Sequence, residues 1–524
     1  QMKENYDAIV VGAGLAGLTS AAYLNHYGYK TLLLEKGKQT GGLVKTFWYQ
    51  GFAFDAGIRA FESSGIVFPM LEHLGIDIDF VRNPVSVGIE DDWVKVENPA
   101  SLRDYTAMLT KLFPENSADI ALIEAEIRKV MGYMDVIYGI DNPLFLEEAP
   151  DPQYLMKTLL PWLLKYQWNI RKAIRLNDPV YLHLSKFTKN LALIDMIAQH
   201  FFKETPAFFA LSYFSLYLDY CYTLGGTGML AQKVTDYILS TGGEIRTETA
   251  VTWVDPDQHQ VGLSDGSSVD YKYLVWAADQ KALYASLKGT DDPAVLRQGS
   301  LAQKSSGGDS IVALFMGIDL DQDYFAQHCG PHAFYTPNTS GVSTLPDWHK
   351  VKENGPDALL AWVGEYLEKT TYEISVPSLR DASLAPEGKT GLIVSTLMDY
   401  ELAHYFEELG RYQELKDFCT QKMTDMMEAS LFPGIAEKIL FSLCSTPLTL
   451  EKESSNSDGA ITGWAFTNPQ MPAENRFNKM GNSINTPIQD VYQCGQWSFS
   501  PSGLPVSILT GKLTADEVKK KLKK

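Results

Sequence analysis

The chain has 524 residues, of which 45% are apolar and 21% charged, and its net charge is −19 with a pI near 5.0. That length calls for two large domains, and the acidic balance excludes a general attraction to nucleic acid, which needs a basic face against phosphates. The five cysteines (Cys221, Cys329, Cys419, Cys444, Cys494) contain no CxxC pair, which argues against a zinc site or redox dithiol and points to a reducing, cytoplasmic setting.

At the N-terminus, Lys3, Glu4 and Asp7 precede a short apolar strand at 7–11, a pattern in which no classical signal peptide is expected. Gly12, Gly14 and Gly17 follow as GxGxxG. A helix over 14–27 and a second strand over 30–34 lead to Glu35, 18 residues after Gly17. This is a βαβ unit, the start of a parallel, doubly wound sheet. The first glycine permits the tight turn, the second lets backbone approach a pyrophosphate, and the third allows close helix–strand packing. The helix N-terminus offers N–H groups and a positive dipole end to the pyrophosphate. Glu35 is placed to accept bonds from ribose hydroxyls, which argues against a 2′-phosphate. A glycine turn without a ligand is the plainer alternative.

Residues 85–220 are rich in aromatics and helical periodicity. Their aromatics (Trp162, Trp168, Phe208, Phe209, Tyr213 and others) are either plain core or the wall of a substrate tunnel. The longest nearly apolar run, 205–218, has 14 residues, short of the ~20 that span a bilayer, so membrane association is expected to be peripheral. Between 157 and 189 stand seven Lys or Arg and one acid, Asp178, interleaved with Trp162, Leu163, Leu164 and Trp168. This segment is either a basic amphipathic patch for an anionic membrane or a solvated face paired with acids elsewhere.

Gly225-Gly226-Thr227-Gly228 then opens a helix over 229–240. Strands follow at 244–246, 250–254 and 273–277, with a hairpin turn at Asp265-Gly266. Strands at 311–318 and 392–397 belong to a second sheet. A strand at 491–494, a Gly- and Pro-containing loop and a helix from about 505 end the chain. The fold expected is α/β: a Rossmann-like dinucleotide-binding domain in three segments (5–84, 221–300 and 480–524), with an inserted α+β substrate domain (85–220 and 301–479).

Several segments carry a family resemblance. Gly41-Gly42-Leu43-Val44-Lys45-Thr46 and Gly51-Phe52-Ala53-Phe54-Asp55-Ala56-Gly57 resemble the GG motif and the GFxFDxG segment of the flavoprotein family containing amine oxidases and phytoene desaturases. Val376-Pro377-Ser378-Leu379-Arg380-Asp381, Leu384-Ala385-Pro386-Glu387-Gly388-Lys389, Pro433-Gly434, Thr446-Pro447-Leu448-Thr449 with Glu451, and Gly459-Ala460-Ile461-Thr462-Gly463-Trp464 are similar to stretches of its phytoene desaturase, carotenoid isomerase and retinol saturase group. Val491-Tyr492-Gln493-Cys494-Gly495 and Gly503-Leu504-Pro505 resemble the strand and helix start that return to the flavin. Two departures stand at the expected flavin ring: Ser500-Pro501-Ser502-Gly503 where PGGG is frequent, and Arg59 where retinol-saturase-like members often carry His.

The resemblance implies an FAD-binding domain of the glutathione-reductase and amine-oxidase type, its FAD held at the first turn by Gly12, Gly14, Leu15, Ala16 and Gly17, and at the second strand by Glu35 and Lys36. Gly41, Gly42, Leu43 and Val44 would follow, then Asp55, Gly57, Ile58 and Arg59. Val251, through backbone bonds to the adenine, and Ala277 would complete the nucleotide end. Gly495, Gln496, Gly503, Leu504, Pro505 and Val506 would lie at the ring. The implied activity forms, reduces or isomerises C=C bonds of a hydrophobic, isoprenoid-, carotenoid- or retinoid-like substrate by hydride transfer at the flavin. A flavin amine oxidase or a non-enzymatic prenyl-lipid binder on the same fold are the alternatives. Arg59 and Glu62 are the candidates for proton exchange; a salt bridge for Arg59 and a solvated helix position for Glu62 are their plainer readings. No histidine spacing indicates a metal, and no second fingerprint for NADPH is present, so the electron donor or acceptor stays open.

Overall fold

The structure, a computed structural model, describes residues 4–146 and 150–524. Asn5–Val11 is buried at nearly every position, as a strand covered on both faces must be. It runs parallel to Thr31–Leu34 on one side and to Ser268–Trp276 on the other. The full sheet orders Val251–Asp255, Gln260–Leu263, Ser268–Trp276, Asn5–Val11, Thr31–Leu34 and Glu244–Arg246, with Val491–Gln493 also on Ser268–Trp276. Three stretches far apart in sequence therefore build one sheet. The helix Leu15–His26 is buried from Leu15 to Leu24 because the last helix, Leu504–Leu522, lies directly on it. A Cβ on Gly511 would come 2.4 Å from the Ala16 carbonyl oxygen, so a glycine is what lets the two backbones touch.

The second sheet orders Ile439–Ser445, Ser310–Ile318, Thr390–Met398, Tyr372–Ser375, His332–Thr336, Val85–Ile89 and Asp92–Val96. Its period-2 alternation divides labour. Val312, Leu314, Tyr335, Tyr372, Ile374 and Val394 share a core with the helices Pro356–Lys369, Tyr400–Glu408 and Tyr412–Met426. The intervening positions, among them Phe334, Glu373 and Ser395, face the other way and line a cavity. A helical layer with its own core, including Ser117–Ile137, Leu160–Ile174 and Leu191–Ala198, belongs to residues 101–219.

Some local expectations change. The run at 205–218 is two short helices, Ala207–Leu211 and Tyr213–Asp219. Its aromatics divide between core (Phe208, Phe214) and cavity wall (Phe209, Tyr213, Tyr217). The hairpin Thr46–Tyr49/Phe52–Asp55 packs on the second sheet, with Phe54 edge-on to Phe315 at 5.7 Å, so the early glycine segments already reach the other half of the molecule. Among the described residues, no helix is long and apolar enough to cross a membrane.

Candidate active site

The three glycines of the first turn have separable causes. Gly12 sits at φ +101°, and a Cβ there would meet the Ala277 carbonyl oxygen at 2.6 Å. A Cβ on Gly17 would lie 1.8 Å from the Gly12 carbonyl oxygen. These two are required by the fold itself. At Gly14, by contrast, the nearest atom to an added Cβ is Gly42 Cα at 3.9 Å, so its bare backbone faces open space at the start of the helix containing Leu15 and Ala16. The second glycine pair lines the same space: the Gly41 N–H donates to the Ala13 carbonyl at 2.7 Å, and a Cβ on Gly42 would stand 3.0 Å from Gly14 Cα. Glu35 closes the outer end, accepting the N–H groups of Ala13 at 2.9 Å and Gly37 at 2.8 Å. Lys36 beside it is exposed. The Thr249 N–H donates to the Glu35 carbonyl at 2.9 Å, which brings the approach to Val251 alongside, and the Ala277 N–H bonds to the Val11 carbonyl at 2.8 Å beneath the turn.

From Gly42 the cradle runs inward. The Leu43 carbonyl accepts the Ile58 N–H at 3.0 Å, and Val44 is buried beneath. A Cβ on Gly57 would sit 1.8 Å from the Leu43 carbonyl oxygen. Leu43, Gly57, Ile58 and Arg59 then form one wall of a cavity of about 270 Å³. The C-terminal loop joins from the opposite side. A Cβ on Gly495 would stand 3.1 Å from the Ala16 Cβ, and one on Gly463 would stand 2.2 Å from the Gln496 carbonyl oxygen. The Ser502 hydroxyl donates to the carbonyl of Thr462, a cavity residue, at 2.9 Å. The final helix follows Gly503 with Leu504, Pro505 and Val506 in its first turn, where the Val506 N–H has no intrahelical acceptor.

Asp55 departs from its expected role as a cofactor contact. It is fully buried, with one oxygen accepting the Tyr222 hydroxyl at 2.8 Å and the other the Thr227 N–H and hydroxyl at 2.8 and 3.0 Å. It ties the GGTG turn to the hairpin instead of presenting an oxygen to a ligand. Arg59 makes no salt bridge to it: its Nη1 donates to the backbone carbonyls of Asp55 (2.6 Å) and Gly57. Its Nε and Nη2 are buried without a hydrogen-bond acceptor among the described residues, and burial holds this guanidinium below its usual range. Glu62 is not helical, and it is part-buried where a solvated position was the plainer reading. Burial, followed by the charge of Asp219, pushes its carboxyl up to about 7. It acts electrostatically on Tyr213 and Tyr220, both of which line the cavity.

Several site residues have no local sequence motif. The cavity holds Phe201, Phe209, Tyr213, Tyr217 and Phe334 together with His200, His332 and Glu373. His200, pushed down to about 4 by burial, is neutral near neutral pH. A charged residue inside the otherwise apolar strand Tyr372–Ser375 is the one signal that could have marked Glu373. The PSLRD segment proves to be scaffold: Arg380 donates to the Arg59 carbonyl at 3.0 Å and to Asn83 Oδ1 at 2.6 Å, and Asp381 accepts the Gly225 N–H at 2.7 Å. Thr446 and Thr449 of the TPLT segment form a capping box on the helix Pro447–Ser454.

A Rossmann-like α/β unit assembled from separate segments, opening inward to a cavity on a second sheet, is the class this architecture defines. Residues 10–74 match the family described as an NAD(P)-binding Rossmann-like domain. Along nearly its full length the chain resembles the phytoene desaturase, carotenoid isomerase and retinol saturase group. It is 23% identical to prolycopene isomerase 2, chloroplastic, of an Oncidium hybrid cultivar, covering 98% of this chain and 84% of that protein. It is 24% identical to all-trans-retinol 13,14-reductase of Danio rerio (99% and 86% covered) and 23% identical to the lycopene-forming phytoene desaturase of Pseudescherichia vulneris (97% and 98% covered). Among solved structures, a putrescine oxidase matches with a TM-score of 0.60 at 13% identity (98% and 99% covered). A UDP-galactopyranose mutase matches with 0.58 at 15% (100% and 95% covered). These two likenesses concern the fold.

Proposed function

We propose that the chain binds FAD and is an FAD-dependent oxidoreductase acting on a carbon–carbon bond of a hydrophobic, polyene-like substrate, which it desaturates, saturates or isomerises. The observation that carries this reading is the adjacency of cradle and cavity. The bare backbone at Gly14 faces open space beside Gly42, and the next residue, Leu43, lines with Gly57 a cavity walled by aromatics. A cofactor longer than a mononucleotide fits such an arrangement, and an apolar chain fits such a wall. The named relatives, which act on carotenoids or retinol by their names, support the same substrate class.

Bound FAD would supply the two-electron redox chemistry. Glu35 would accept ribose hydroxyls, and the first N–H groups of the helix at Leu15 and Ala16 would meet the pyrophosphate. Arg59 fits the electron-rich edge of a flavin, because two of its donor atoms have no hydrogen-bond acceptor among the described residues. The last helix would add the Val506 N–H and a positive dipole end there. Glu62, set near neutrality, can hold or release a proton, and its charge is felt at Tyr213 and Tyr220 on the cavity wall. The aromatic wall excludes water from the reacting chain. An amine oxidase is served less well, since Arg59 and Arg380 stand as buried cations close to the cavity. Peripheral membrane contact through 157–189 would bring in a substrate that dissolves in lipid.

The test is anaerobic and aerobic incubation of the purified protein with cis and trans carotenoids, retinol and an aliphatic amine. A polyene product that differs by two hydrogens or in double-bond geometry is expected. Amine oxidation with no polyene conversion would contradict the reading.

A further inference from the structure

The cavity floor holds one ionised group whose partners leave part of it unused. Glu373 sits between two fully buried neighbours, Tyr372 and Ile374, yet its own side chain is 33% exposed; that exposure is to the cavity it lines. A chain of hydrogen bonds fixes its orientation. Arg380 donates to Asn83 Oδ1 at 2.6 Å, and Asn83 Nδ2 lies 2.8 Å from His332 Nδ1. His332 Nε2, 1% exposed with its ring stacked on Tyr220, is then the donor to Glu373 Oε2 at 3.3 Å. Burial raises the Glu373 carboxyl, but the hydrogen bond from His332 and the charge of Arg59 more than offset this and hold it below its usual range. Its other oxygen, Oε1, accepts no bond from the described residues. Directly across the antiparallel pair stands Ser395, also on the cavity face. Opposed Cβ atoms in such a pair lie about 5 Å apart, within span of one bridging oxygen.

We propose that Glu373 and Ser395 form a subsite that binds a hydroxyl group carried by an otherwise apolar substrate; the inference rests on the polyene-like reading above. A hydroxyl donates to Glu373 Oε1 and accepts from the Ser395 hydroxyl, satisfying both. A carboxylate would face the Glu373 charge. An ammonium would join Arg59 and Arg380, which already balance the local anions. A plain hydrocarbon would strip water from an ionised carboxylate and give it no partner, a large desolvation cost. The subsite therefore selects a polyene alcohol over its hydrocarbon.

The experiment titrates all-trans-retinol, its methyl ether, the matching hydrocarbon and the matching amine into the protein as purified, reading quenching of tryptophan fluorescence. Flavin content is measured on the same samples. The alcohol is expected to bind about tenfold or more tighter than the ether and hydrocarbon. Glu373→Leu, of similar volume, is expected to erase that preference while keeping hydrocarbon affinity, and Glu373→Gln, which keeps one acceptor oxygen, to retain part of it. Thermal melts establish that each variant is folded, and Glu373→Gln decides if Glu373→Leu is not. The proposal is overturned by an ether, hydrocarbon or amine that binds as tightly as the alcohol. It is also overturned by a preference that survives Glu373→Leu, or by no probe binding. Protein that takes up no flavin on reconstitution yet shows a Glu373-dependent preference would uphold the subsite and reject the FAD reading; flavin-loaded protein without one would do the reverse.

Discussion

Single residues at the first turn separate folding from binding. Gly17→Val forces atoms into the Gly12 carbonyl, so it is expected to cost more than about 3 kcal/mol, as severe overpacking does. Gly14→Val meets open space at φ −70° and is expected to change the flavin-free protein by less than about 1 kcal/mol, yet to lower bound flavin at least tenfold. Urea unfolding of the flavin-stripped proteins, paired with flavin content before stripping, checks both, and equal effects on the two readouts would contradict the division. The GxGxxG spacing made all three glycines and their separate roles legible; it could not supply the contacts that enforce the first and third, the Ala277 carbonyl against Gly12 and the Gly12 carbonyl against Gly17. Glu62 offers a second test. Its carboxyl is raised from 4.5 to about 7, so the native state favours the protonated form. The associated stability is fully present below about pH 4.5 and is lost as pH rises through about 7. Glu62→Gln is therefore expected to gain on the parent between pH 5 and 8, by about 2 kcal/mol after allowing for its partial exposure. A pH-independent difference would show that Glu62 does not titrate there.

Among the elements, the helix Leu160–Ile174 shows what pattern alone leaves open. Its sequence offered two readings, a membrane face or a solvated basic face paired with acids. Across the helix and the residues before it, Met156, Leu160, Leu164 and Trp168 form an exposed apolar stripe, with Leu164 75% and Trp168 62% exposed. Of the seven basic residues at 157–189, only Lys186 pairs with a carboxylate among the described residues, at 3.2 Å from Asp178. Lys172 instead lies over the Trp168 ring at 5.0 Å. Exposed apolar area beside unpaired cations favours docking to an anionic surface, where each Lys or Arg contributes about 1 kcal/mol. The parent is expected to pellet with liposomes containing anionic lipid at low salt and less at high salt. Lys165, Arg171, Lys172 and Arg175 all changed to Gln should abolish this, and equal pelleting of both would leave the helix an ordinary solvated face. The PSLRD and TPLT segments were legible only as resemblance. What Arg380, Asp381 and Thr446 do depends on partners such as Asn83, Gly225 and Leu448, which no local window contains.

At the scale of the whole molecule, the two sheets keep separate cores and are joined by the hairpin at 46–55 and by the cavity lined from both halves. The three-segment nucleotide sheet could be anticipated because βαβ patterning and turn chemistry are local signals. The cavity could not, because its floor is set by the alternation of strands at 310–398 and its roof by helices at 200–220, brought together only by tertiary packing. The hairpin Thr46–Tyr49/Phe52–Asp55 joins the two, starting beside the Gly41-Gly42 turn and packing against Phe315. The central claim is that the glycine cradle and the adjoining cavity together are an FAD site. The direct test is mass spectrometry of the cofactor released by acid from the purified protein, quantified per chain. The account predicts FAD at one per chain, whether carried through purification or taken up on reconstitution; FMN, a nicotinamide cofactor alone, or no flavin after reconstitution would contradict it.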